Sequence, residues 1–221
     1  MVFVKNHYYH VFNRGFRKKS IFDLQGSPTR VLSLLNYYRF KNHPTSYSLF
    51  LKLTPKLRSA MLQKMEKRKN FLVDIVAFCL MPNHFHLLLK ERGGNGIRQF
   101  TSKVQNGYAK YFNTKNKRTG PVFQGRFQAV LIKSDYQLLH LSRYLHLNPY
   151  SAKIVKSLPA LLDYHWSSLP QYLDQEKGFC QPEIVLKQFK NRSDYKKFLL
   201  DRADYQKNLE SIKHLALDQN P

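Results

Sequence analysis

The spacing of apolar and polar residues divides the chain into stretches with a two-residue period and stretches with a 3.6-residue period. "HYYHVFNRGF" (7–16) is rich in aromatic and β-branched residues and reaches a glycine that permits a turn, so it reads as a strand. "SPTRVLSLLNYYRF" (27–40) opens with Ser-Pro, an N-cap followed by proline at the first helical position. Its Val31, Leu34, Leu35 and Tyr38 follow helical spacing. "PKLRSAMLQKMEKRK" (55–69) predicts a second, more polar helix. "FLVDIVAFCL" (71–80) is almost continuously apolar, as expected of a strand covered on both faces. "MPN" reads as a turn, and "HFHLLLKE" (84–91) returns as the partner strand. After the break "GGNG", residues 97–113 place Ile97, Phe100, Val104 and Tyr108 on one helical stripe. "KNKRTGP" is a basic loop and "FQGRFQAVLIK" (123–133) a strand. "SDYQLLHLSRYLHLNP" (134–149) is a helix with a capping box, Ser134 and Gln137, and a proline to end it.

The resulting order, βαββαβ with one additional helix, is the ferredoxin-like (RRM-like) pattern of an α+β protein. It predicts a four-stranded antiparallel sheet with helices on one face. The first strand and the histidine-bearing strand stand at the centre, running opposite ways. From about residue 160 the composition changes: "DYHWSSLPQYLD" precedes a helical segment from Pro182 onward. We expect a sheet domain over residues 1–159 and a mostly helical C-terminal extension over 160–221, with Trp166 anchoring the extension to the core.

Charge narrows the class of partner. The formal net charge is +23 over 221 residues. Residues 1–159 hold 28 Lys and Arg against 5 Asp and Glu, whereas residues 160–221 hold nine of each. No acidic residue occurs between Arg92 and Ser134. A basic surface of that extent repels itself unless anions neutralise it, and phosphate backbones interleaved with aromatic contacts are the expected partner. Two cysteines, Cys79 and Cys180, form no CxxC pair, so neither a cysteine zinc site nor a disulfide framework is indicated. No long apolar segment opens the chain and no run approaches a membrane span. The expectation is a soluble cytoplasmic protein without a membrane partner.

Candidate chemistry centres on "LMPNHFHLLLK" (80–90). In a strand, residues two apart share a face, so His84, His86 and Leu88 point one way and Phe85, Leu87 and Leu89 the other. Such a histidine pair is either hydrogen-bonded at a sheet surface or a pair of metal ligands. As ligands they leave positions open for a substrate. On the helix 134–148, His140, Tyr144 and Asn148 are four apart and line one face. Asn148 can offer an amide oxygen to an ion held by the histidines, with Tyr144 one turn back. A phenol is a poor nucleophile at neutral pH, but a cation that withdraws charge from a phosphate can make tyrosine attack feasible.

These residues carry a resemblance. "MPNHFHLLL" resembles the His-hydrophobe-His motif of the HUH endonucleases, and "YLHLNPYSAKIV" the tyrosine-bearing helix of the REP-associated tyrosine transposases, a single-tyrosine HUH family. "YYHVFNRG", "GPVFQGRF" and "HWSSLPQYL" are similar to further blocks of that family, so the resemblance spans residues 7–173. It implies metal ligation by His84, His86 and Asn148, with Mg²⁺ or Mn²⁺ as the cation, and Tyr144 as the nucleophile. It also implies cleavage and rejoining of single-stranded or hairpin DNA through a 5′-phosphotyrosine, by a monomer or a homodimer. Candidate DNA contacts are Arg14, Arg17, Lys18 and Lys19 beside the first strand, and Lys103, Lys110, Lys115, Lys117, Arg118 and Arg126 in the acid-free stretch. Two other classes compete: a non-catalytic nucleic-acid-binding protein on the same sheet, and a metal nuclease that uses water and leaves no covalent adduct.

Overall fold

In a computed structural model the chain is described over residues 2–22 and 26–201, and the end of the predicted C-terminal helical segment lies outside the described residues. Strands β1 (Tyr8–Arg14), β2 (Val73–Met81), β3 (His84–Glu91) and β4 (Gln128–Ile132) form one antiparallel sheet in the order β2-β3-β1-β4. β1 and β3 are therefore central, as the sequence order predicts. Around them run α1 (Ser27–Tyr38), α2 (Tyr47–Lys52), α3 (Pro55–Lys67), α4 (Gly96–Lys115) and α5 (Asp135–Ser151). The short helices α6 (Leu158–Leu162), α7 (Leu169–Tyr172), α8 (Glu183–Leu186) and α9 (Arg192–Leu200) follow.

One face of the sheet packs as expected. Val11, Ile75, Phe78, Leu80, Phe85, Leu87 and Leu89 meet Val31, Leu34 and Leu35 of α1, and Ile97, Phe100, Val104 and Tyr108 of α4. The expectation of helices on one face only is corrected. Val76, Ala77, Cys79, Met81 and Leu88 on the opposite face are covered by Leu138, Leu145 and Leu147 of α5 and by Leu161, Tyr164, Leu169, Tyr172, Val185, Tyr195 and Leu199. The reason lies in β2, whose residues are all buried. A strand apolar at both parities needs a layer on each side. Its register shifts between Ile75 and Ala77, so Val76 and Ala77 both serve the second layer while Ile75 and Phe78 serve the first.

The C-terminal segment also closes the outer edge of β2, where unpaired backbone groups would otherwise invite another strand. Leu80 N donates to the Trp166 carbonyl at 2.8 Å, Ser168 N to the Phe78 carbonyl at 3.0 Å, and Phe78 N to Ser168 Oγ at 3.0 Å. The Trp166 ring is half-buried against both apolar layers, which makes it the anchor that its position predicts.

Several element ends differ from the sequence pattern. α1 begins at Ser27 itself, with Gly26 at the cap in a left-handed conformation (φ +103°), so Ser27 is not the N-cap. At α5, Ser134 Oγ does accept from Gln137 N, but Gln137 Oε1 reaches back to Lys133 N rather than to Ser134 N. α5 runs two residues past Pro149, because a proline this close to the C-terminus costs only one helical hydrogen bond. β4 is five residues long instead of eleven. Phe123 pairs in a lone bridge with Gly15, and Gly125, at φ +68°, then turns the chain out of the ladder. α2, with Ser46 as its N-cap, carries too short a pattern to be read from sequence.

α5 is tied to the extension through His146, which is fully buried. Its Nδ1 lies 2.7 Å from Tyr195 Oη and its Nε2 2.7 Å from Ser168 Oγ. Burial lowers its pKa to about 3. The folded chain therefore resists protonation that the unfolded chain accepts near pH 6.5. Stability from this group is complete above about pH 6.5 and is lost as pH falls toward 3. Urea unfolding should show roughly 2 kcal/mol lost to this group by pH 5. His146→Gln should be less stable at pH 7 yet show a shallower acid slope than wild type.

Candidate active site

The second face of the sheet is not fully covered. α5 lies over β2 and β3 and leaves β1 and β4 open: His10 and Phe12 are half-buried, and Val130 is 53% exposed. Where covered and open halves meet, three imidazoles and a phenol gather.

His84 and His86 project to this face from the first and third positions of β3. Their ring centroids are 4.8 Å apart. Tyr144 of α5 approaches His86 edge-on at 5.7 Å between centroids. His10 of β1 stacks on His86 at 5.1 Å and stands 6.5 Å from Tyr144. Asn148 is one helical turn beyond Tyr144. α5 begins beside Tyr8 and Ile132, at the Lys90 end of the sheet. Its direction therefore carries Asn148 toward the end where His84 stands. Asn148 is buried, and its Nδ2 has no hydrogen-bond partner.

Hydrogen bonds orient both strand histidines through the same ring atom. His84 Nδ1 lies 2.6 Å from Asn83 Oδ1, and His86 Nδ1 lies 2.9 Å from His10 Nε2. In each ring Nε2 is left for something else. Burial lowers His10 to about 4, and burial first, then the neighbouring His84 and His10, drive His86 well below its ordinary value. Both rings are neutral at pH 7, the form in which an imidazole can ligate a metal.

Among the described residues no three His, Cys, Asp or Glu side chains cluster as a metal site. The set that fits a divalent cation is two imidazoles and an amide. The fit rests on the two oriented imidazoles and on the buried, partly unsatisfied Asn148 amide, a costly feature unless something engages it.

The predicted DNA contacts divide between the two sides of the sheet. Arg14 ends β1 opposite His84 in the register and donates to Gln124 Oε1 at 2.9 Å, in the loop that carries Arg126. Arg17, Lys18 and Lys19 form an exposed turn bound to the Pro82–Asn83 turn: Ile21 N donates to the Pro82 carbonyl at 2.9 Å and Asn83 Nδ2 to the Lys18 carbonyl at 3.3 Å. These five cations share the His84 end. Lys103, Lys110 and Lys115 belong to α4, and Lys117 and Arg118 follow it, on the layer across the sheet from Tyr144. Lys103 lies over the Tyr38 ring and Arg118 over Phe112. His140 packs against Tyr136 and Phe198 and is not among the imidazoles.

Sequence reasoning missed His10 and the Asn83 side chain. The period-two pattern of β1 does place His10, Phe12 and Arg14 on one face. Only the β1–β3 register shows that this face is the one bearing His86.

The family described as Transposase IS200 like matches residues 49–148, a span that includes His84, His86, Tyr144 and Asn148 and stops short of β1. A solved structure of a REP-associated tyrosine transposase bound to a REP hairpin is similar at 13% identity with a TM-score of 0.50, covering 78% of this chain and 82% of that one. At that identity the likeness speaks for the fold. No curated protein matches the sequence.

Proposed function

Starting from a chain that belongs to the IS200-like transposase family, we propose that it cuts and rejoins single-stranded DNA beside a hairpin through a tyrosine–DNA intermediate. The observation that carries this reading is the meeting of Tyr144, from the helix layer, with the oriented pair His84 and His86 on the sheet. A hairpin partner is supported by the similar structure, which holds a REP hairpin.

In this reading Tyr144 Oη bonds to the scissile phosphorus while the bond from phosphorus to the 3′ oxygen breaks. The phenolic proton leaves to solvent, and the departing 3′ oxygen takes up a proton to become a hydroxyl. The 5′ phosphate stays on Tyr144 until another 3′ hydroxyl attacks, reversing the same steps. His84, His86 and Asn148 would hold Mg²⁺ or Mn²⁺. The cation would supply neutralisation of the non-bridging phosphate oxygens. Arg14 and Arg126, at the His84 end, hold the phosphates flanking the reacting one. Residues 1–159 carry every group named here, and the extension from residue 160 supports α5 from behind.

The experiment is to incubate the protein with a single-stranded substrate carrying the hairpin and Mn²⁺, and to look for a denaturation-resistant adduct. The adduct should hold the 3′ piece of DNA through its 5′ phosphate. Cleavage without an adduct would mean water is the nucleophile, and neither would mean a binding protein.

The two-sided charge gives a separate expectation. Lys110 and Lys117 are exposed on the α4 layer, remote from Tyr144. Replacing both with alanine should weaken DNA binding and reduce the slope of log K against log salt by about 1–2. The rate of cleavage at saturating DNA should stay within about two-fold. Arg14→Ala should instead slow cleavage at saturating DNA.

A further inference from the structure

Both strand histidines are held by a neighbour at Nδ1, and the two neighbours differ in kind. A neutral imidazole carries one N–H, so the partner at one nitrogen decides what the other can do. Asn83 Oδ1 can only accept; His84 must donate from Nδ1 to make its 2.6 Å contact, which leaves Nε2 with a free lone pair. The His10–His86 contact is ambiguous, because either ring can donate across 2.9 Å. If His10 donated, His86 would carry its own proton on Nε2 and could not ligate through it. If His86 donates from Nδ1, its Nε2 is free and faces outward beside the Nε2 of His84.

From this geometry we propose that His10 and Asn83 are positioning residues, the hydrogen-bond acceptors that fix His86 and His84 with Nε2 available to a divalent cation. The proposal rests on the metal reading above and assigns roles to two residues outside the ligand set.

The surroundings make both acceptors rigid. His10 sits in the central strand β1, paired to Leu88 on one side and Val130 on the other, so its ring is aimed diagonally at His86. The Asn83 amide is held at both ends: Oδ1 takes the His84 bond and Nδ2 donates to the Lys18 carbonyl. Its backbone carbonyl accepts from Gly15 N at 2.7 Å. Gly15 has no room for a side chain there, since a β-carbon would fall 2.2 Å from the Lys19 carbonyl oxygen. The end of β1, the basic turn and the Pro82–Asn83 turn are thereby locked around His84. Such outer partners commonly govern metal affinity as strongly as they govern ring orientation.

The test uses the full chain, without DNA, in two measurements. In ring-¹⁵N NMR of the metal-free wild type, His84 and His86 should both show a protonated Nδ1 and an unprotonated Nε2. A proton on His86 Nε2 overturns the proposal. In Mn²⁺ titrations, His10→Leu and Asn83→Leu should each bind about 10–100-fold more weakly than wild type. His10→Gln and Asn83→Asp, which keep an acceptor oxygen, should recover most of the loss. Wild-type Mn²⁺ affinity in folded His10→Leu and Asn83→Leu overturns the proposal while leaving the metal site standing. A wild type that binds no Mn²⁺ overturns the metal site and this proposal with it.

Discussion

Tyr144→Phe should bind hairpin DNA as wild type does and form no covalent adduct, with strand cleavage reduced by about 10³-fold or more. In free-energy terms that is a loss of about 4 kcal/mol of transition-state stabilisation. The substitution removes one oxygen from a half-buried ring and keeps the edge-on contact with His86, so folding is barely affected. The measurement is single-turnover cleavage of a labelled strand, together with denaturing electrophoresis for the adduct. An adduct that persists in Tyr144→Phe would move the nucleophile elsewhere, and peptide mapping would then examine Tyr136 and Tyr150. Tyr136 is 71% exposed near the start of the same helix, and Tyr150 is half-buried near its end. Mapping to Tyr108 is already disfavoured by geometry. That side chain is fully buried across the sheet and its hydroxyl is bonded to the Ile21 carbonyl.

His84→Ala should abolish metal-dependent cleavage while leaving hairpin affinity within about three-fold, because phosphate contacts rather than the histidines carry affinity. His84 is the cleaner of the two positions. It is half-buried at the end of β3, whereas His86 is 8% exposed. His86→Ala would leave a cavity and strand the His10 ring, adding a stability loss of about 1–3 kcal/mol to the catalytic one. Thermal unfolding should therefore separate the two variants even where both are inactive. Wild-type cleavage rates in a His84→Ala/His86→Ala double variant held in chelator would remove the metal from the reaction.

Much of the fold was legible because the strands and helices keep their periods over whole elements. The apolar run of β2, the alternation in β3 and the stripe Ile97, Phe100, Val104 and Tyr108 each determine a face by local rules. The order of the elements then leaves few ways to pair four strands. Short or interrupted elements were not legible. The glycine at position 125 ends β4 early, and α2 spans fewer than two turns. The second helical layer was implied by β2, whose two apolar parities both need cover, but its makeup was not. Tyr164, Tyr172 and Tyr195 reach it from a stretch that looks, by charge, like an appendage.

The candidate site divides in the same way. Spacing alone put His84 with His86 on one strand face and Tyr144 with Asn148 on one helix face, since each pair is a property of a single element. That the two faces meet was decided by α5 crossing to the second side of the sheet, away from α1 and α4. The same crossing separated Arg14 and Arg126 from the lysines of α4, residues that one run of basic sequence had grouped together. His10 is the plainest case. It lies 76 residues from His86 in the chain, and no periodicity links them. Only the antiparallel register of β1 on β3 brings the two rings to 2.9 Å, because a backbone pairing fixes side-chain neighbours that neither strand encodes alone.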